Sequence, residues 1–144
     1  MKPGTIFYHN IYQLSDENNS RKMLVILSDG RQYPNIAVVT SSLPSQARGT
    51  ESGCQINDRF PSFFLPLHST YLKEDTWILL DYFAELDPSE LAQYNDSGDI
   101  TRVCELPKNL LKDLLICTIS CKDITENQHK ELWNTYLNID SYFE

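Results

Sequence analysis

Apolar positions fall in short runs between polar turns over the first two thirds of the chain, then switch to helical spacing. Two runs, Met23–Leu27 and Ile36–Val39, are rich in Val, Ile and Leu and are joined by the turn-rich Ser28–Asn35. This predicts two buried antiparallel strands in a hairpin, the stretch that organises the fold. Thr5–Leu14 is aromatic and β-branched and predicts an earlier strand, with Ser15–Ser20 as a polar loop. Leu43–Gly53 is poor in apolar residues and predicts a loop, and Cys54–Asn57 a short strand. Asp58–Pro66, with two prolines and three phenylalanines, predicts an irregular but packed segment.

Asp75–Glu85 is the next strong strand pattern, interrupted by Asp81, and Ile100–Leu106 predicts the last strand. Between them Asp87-Pro88 reads as an N-cap and first position of a helical turn, and Asn95–Asp99 as a turn. After Pro107, Leu110, Leu111, Leu114 and Leu115 share one helical face. A second helix, capped by Thr125 or Asp123, would present Leu132, Trp133, Tyr136 and Leu137. The pattern predicts an α+β domain spanning 1–144: about six short strands forming a small antiparallel β-barrel, with C-terminal helices.

Charge narrows the function. A net charge of −8 on 144 residues argues against a broad basic surface for nucleic acid and leaves room only for a local cationic site. The four cysteines, Cys54, Cys104, Cys117 and Cys121, form no CxxC and no zinc-ligand set, and read as reduced thiols. No apolar run approaches a membrane span, and the N-terminal residues lack a signal-peptide pattern, so the expected location is the cytoplasm without membrane attachment.

No glycine-rich phosphate loop, GxSxG elbow or HExxH is present, and no cofactor or metal is expected. The hairpin instead offers a cation and a hydroxyl. Its register would bring Arg21 beside Thr40, a pair able to hold a phosphate and assist an attacking hydroxyl. Two side chains are candidates for acid–base work: His68, in a loop beside Ser69 and Thr70, and Asp81, which breaks its apolar run. His9 reads as structural and His129 as a surface helix residue.

The order of strand, polar loop, Arg21-Lys-Met-Leu-Val-Ile26, turn, Ile36-Ala-Val-Val-Thr40, variable loop and Asp75-Thr-Trp-Ile-Leu-Leu-Asp81 resembles the MazF/PemK toxins. The likeness extends to the leucine-rich helix after the last strand and covers roughly Lys2 to Leu137. It implies an SH3-like barrel, usually a homodimer. It also implies the toxin component of a type II toxin–antitoxin system, silenced by a cognate antitoxin protein. The implied activity is metal-independent endoribonuclease cleavage of single-stranded RNA, in which the neighbouring 2′-hydroxyl attacks the phosphate. By the resemblance, Arg21 would stabilise the phosphorane, Thr40 would orient the phosphate, and Asp81 stands where some members place a catalytic aspartate. Lys22, Ser41 and Arg48 are the accompanying RNA-binding candidates.

The chain departs from the family pattern at Lys22, where proline is usual. It departs again at Tyr82-Phe83-Ala84, where many members carry glutamine-x-arginine. Fewer cations therefore surround the phosphate. The alternative expectation is a catalytically inactive barrel that binds proteins through Phe60, Phe63 and Phe64, or Tyr82 and Phe83.

Overall fold

The computed structural model describes residues 1–13, 19–43, 49–57 and 59–143. The organising hairpin is formed by β2 (Asn19–Ile26) and β3 (Asn35–Ser41), with Leu24 opposite Val39 and Ile26 opposite Ala37. Its turn is fixed by Ser28: the Ser28 Oγ accepts from the Ile36 amide (2.8 Å), and the Asn35 carboxamide donates to the Ser28 carbonyl (2.9 Å). Gly30 closes the turn at φ +75° directly against the Asn35 side chain. Gly30→Ala combines a left-handed backbone with a methyl driven into that carboxamide. It is expected to cost about 2 kcal/mol in urea denaturation.

On one side of the hairpin, β1 (Thr5–Gln13) pairs with β2 and with β8 (Ile100–Glu105). On the other, β3 divides its hydrogen bonding between two strands. Asn35–Ala37 pairs with β7 (Ala84–Leu86), while Thr40 and Ser41 pair with β6 (Thr76–Leu79). The single strand expected over Asp75–Glu85 is thus two strands, and Asp81 sits exposed in the corner between them. β5 (Ser62–Leu65) and β4 (Gly53–Gln55) continue the sheet beyond β6. β5 is buried throughout, so the segment expected to be irregular contributes a core strand.

Among the described residues the sheet is antiparallel and has eight strands rather than six, in the order β4-β5-β6-β3-β2-β1-β8 with β7 beside β3. It is not the closed barrel anticipated. Among the described residues no pairing joins edge β4 to edge β8. The three-residue β4 is instead tied to a helix by a Cys54–Cys117 disulfide, with Cα atoms 5.7 Å apart. This also corrects the expectation of four reduced thiols. Cys104 and Cys121 remain free, and burial pushes the Cys121 thiol up to about 11.

Each face of the sheet carries helices. On one, α2 (Lys108–Ile119) and α3 (Glu126–Leu137) pack Leu111, Leu114, Leu115 and Leu132 against Ile6, Val25, Leu27 and Val38. Thr125 caps α3 in a reciprocal capping box with Gln128. The buried positions of α3 are Gln128, Leu132 and Thr135, so the expected apolar face is rotated and Trp133 and Leu137 are exposed. On the other face, α1 (Pro88–Ser97) sets Leu91 against Phe7, Leu24 and Ile26, and Asp87 caps it as expected.

His9 is buried there, with Tyr94 edge-on at 4.7 Å. Burial lowers its pKa, opposed in part by Asp99. The unfolded chain therefore binds a proton more readily than the folded one. Stability holds above about pH 6.5 and falls as pH drops through that value towards the lowered folded pKa. His9→Gln is expected to flatten this limb of a stability–pH curve.

Candidate functional site

The sheet face that carries α2 and α3 runs on past the helices, and its free end forms a cleft of about 700 Å³. Tyr8, Arg21, Met23 and Thr40 line its floor. Tyr8 pairs with Met23 across β1 and β2, and the β2–β3 register extends to set Thr40 opposite Met23. The Thr40 hydroxyl donates to the Met23 carbonyl at 3.1 Å, in keeping with that register. Arg21 is thus offset from Thr40 by two residues rather than directly beside it. The two still share one face, because side chains two apart on a strand point the same way.

Arg21 lies within β2 rather than before it. Its guanidinium lies over the Tyr8 ring, 3.8 Å from the centroid, which fixes the direction of a long side chain that is otherwise exposed.

The opposite wall is Tyr71–Glu74, in the loop between β5 and β6. One apolar residue anchors it: Leu72 packs against the core, and its amide donates to the Thr70 hydroxyl (3.0 Å). Asp75 pins the base of the loop by accepting from the Leu67 amide (2.7 Å), and Thr76 Oγ1 donates to the Glu74 carbonyl (3.1 Å). With Leu72 turned inward, Tyr71, Lys73 and Glu74 are exposed.

Of the residues singled out from sequence, Arg21, Lys22, Thr40 and Ser41 line this cleft. His68 and Asp81 are not in its lining. His68 is exposed at φ +75° near the start of the β5–β6 loop, and Asp81 lies three residues beyond the partner of Thr40 on β6. Arg48 lies outside the described residues. Glu74 is the carboxylate in the lining, and sequence pattern missed it along with Lys73 and Tyr71. The available signal was the run Thr70-Tyr-Leu-Lys-Glu-Asp75, one apolar anchor flanked by an aromatic and charges.

Among the described residues the lining presents two cations, Arg21 and Lys73, against the Glu74 carboxylate, a local balance of +1 in a chain of net charge −8. Lys22, paired with His9, alternates with Arg21 and Met23 and directs its side chain to the opposite face of the sheet. Among the described residues none of these cations is held in a salt bridge. The lining therefore combines positive charge, a hydroxyl and a carboxylate, groups of the kind that bind a phosphodiester and move a proton beside it. Among the described residues no group of three or more His, Cys, Asp or Glu side chains is placed to share a metal ion.

The alternative protein-binding surface is corrected by burial. Phe63, Phe64 and Phe83 belong to the core, leaving Phe60 and Tyr82 as its exposed members.

No protein-family model and no curated protein matches the chain. An antiparallel sheet with helices on both faces and a cationic cleft at one end is what defines it. No helix among the described residues is long and apolar enough to cross a membrane.

Proposed function

We propose that the chain is an endoribonuclease acting on single-stranded RNA without a metal, the toxin of a type II toxin–antitoxin pair. One observation carries this reading: Arg21 and Thr40 share a single cleft whose cations, Arg21 and Lys73, form no salt bridge among the described residues of an otherwise acidic protein. On this reading Arg21 binds the non-bridging oxygens of the scissile phosphate and stabilises the charge that grows on them. Thr40 turns its proton from the Met23 carbonyl to a phosphate oxygen and holds the group in line. Lys73 holds the backbone alongside.

The Glu74 carboxylate takes the acid–base role first sought at His68 or Asp81, because it lines the cleft and they do not. It accepts the 2′-hydroxyl proton as that oxygen attacks phosphorus. The bond from phosphorus to the 5′-oxygen breaks, and the departing oxygen takes a proton from solvent. The products are a 2′,3′-cyclic phosphate and a 5′-hydroxyl.

The open sheet is then a relative of the SH3-like barrel in which β4 is held to α2 instead of closing the ring. A homodimer partner or the antitoxin would cover apolar side chains now exposed on α3, Trp133 and Leu137. Cytoplasmic location belongs to the same proposal.

Cleavage rates of single variants test the assignment of roles. Glu74→Gln is expected to lower cleavage about hundredfold. His68→Ala and Asp81→Asn are expected to leave the rate unchanged. An unaltered rate in Glu74→Gln removes Glu74 from the chemistry.

A further inference from the structure

Tyr71 is the most exposed large hydrophobic side chain described, at 86% of its full accessibility. Its loop is not loosely attached. Leu72 roots it in the core, Asp75 closes its base onto Leu67, and Thr70 and Thr76 brace it from either side. Among the described residues no ring or cation lies against Tyr71. The other aromatic of the cleft, Tyr8, is by contrast covered by Arg21. A braced backbone thus holds one bare ring at the rim of a cationic cleft, with Lys73 two residues away. Aromatic faces beside cations are how proteins grip unpaired nucleic acid: the cation takes the phosphate, and the ring takes the face of the base. A base inside a duplex has no free face to offer.

We infer that Tyr71 is the stacking platform of the cleft, receiving one unpaired nucleobase next to the phosphate held by Arg21 and Lys73. The inference rests on the ribonuclease reading and adds to it a residue that contacts the base and favours unpaired over paired strands.

The test uses binding, so that it does not depend on catalysis. A fluorescent single-stranded 2′-deoxyoligonucleotide, which lacks the attacking hydroxyl, is titrated with the full-length protein and followed by anisotropy. Inorganic polyphosphate, which has charge but no bases, is the competitor. Tyr71→Ala is expected to weaken oligonucleotide binding about fivefold or more and to leave polyphosphate competition unchanged. Tyr71→Trp is expected to retain binding and to show indole quenching as the base stacks, whereas Tyr71→Leu behaves like the alanine variant. Equal affinity of wild type and Tyr71→Ala for the oligonucleotide overturns the platform while leaving the cationic cleft in place. Equal loss of oligonucleotide and polyphosphate binding in Tyr71→Ala also overturns it, since a stacking residue does not act on bare phosphate. No oligonucleotide binding by the wild type overturns the ribonuclease reading and the platform together.

Discussion

Arg21→Ala is expected to lower RNA cleavage at least about hundredfold while leaving the urea midpoint near that of the wild type. The two halves of this expectation have separate origins. Arg21 is exposed, and its contact with Tyr8 contributes about 0.5–1 kcal/mol to folding, so its loss leaves the core of β2 intact. Cleavage draws on the same side chain differently. The negative charge on the phosphate oxygens rises as the 2′-oxygen adds, and a guanidinium already aimed by Tyr8 meets it without reorganising. Lys73 still attracts RNA in the variant, so the loss is expected mainly in kcat rather than in KM. Arg21→Lys is expected to recover only part of the rate, because one ammonium cannot bridge two oxygens. A loss confined to KM would assign Arg21 to binding alone.

Reduction of the Cys54–Cys117 disulfide carries the largest expected effect on stability. The bridge spans a sequence separation of 63 residues and links edge strand β4 to α2. By the loop-closure argument, opening it releases about 4 kcal/mol of stability, enough to move a urea midpoint by roughly 2 M. Trp77 and Trp133 report the transition. Wild type in dithiothreitol is expected to match Cys54→Ser, and Cys54→Ser itself to be insensitive to the reductant. Thiol titration of the denatured, unreduced protein is expected to count two free groups, Cys104 and Cys121. A count of four excludes the bridge. Disulfides of this kind persist in oxidising compartments and are uncommon in the cytosol. The bridge and the proposed cytoplasmic location therefore pull in opposite directions, and thiol counting on acid-quenched cells decides between them.

The parts of the fold that sequence pattern revealed are those governed by neighbours in the chain. The β2–β3 hairpin follows from two Val/Ile-rich runs around a turn, α2 from leucines at helical spacing, and the start of α1 from Asp87-Pro88. Non-local pairing hid the rest. β5 is buried on both faces, so Phe63-Phe64-Leu65 shows no alternation, and Pro61 and Pro66 mask it further. The break between β6 and β7 arises because β3 offers each half of its edge to a different strand, which an apolar run cannot encode. The disulfide joins residues whose spacing carries no sign of their pairing.

The same division holds at the cleft. Arg21 and Thr40 lie on adjacent strands, so hairpin logic alone brings them to one end, in error only by two residues of register. Tyr71, Lys73 and Glu74 reach that end because β6 pairs with β3 out of sequence order, carrying its preceding loop with it. Asp81 was placed by a straight strand that in fact turns a corner.

The most direct test of the central claim is incubation of the purified protein with a long unstructured RNA in excess EDTA, with analysis of fragment ends. Discrete fragments ending in 2′,3′-cyclic phosphate and beginning with 5′-hydroxyl are the expected result. RNA left intact by the folded protein at micromolar concentration contradicts the ribonuclease reading.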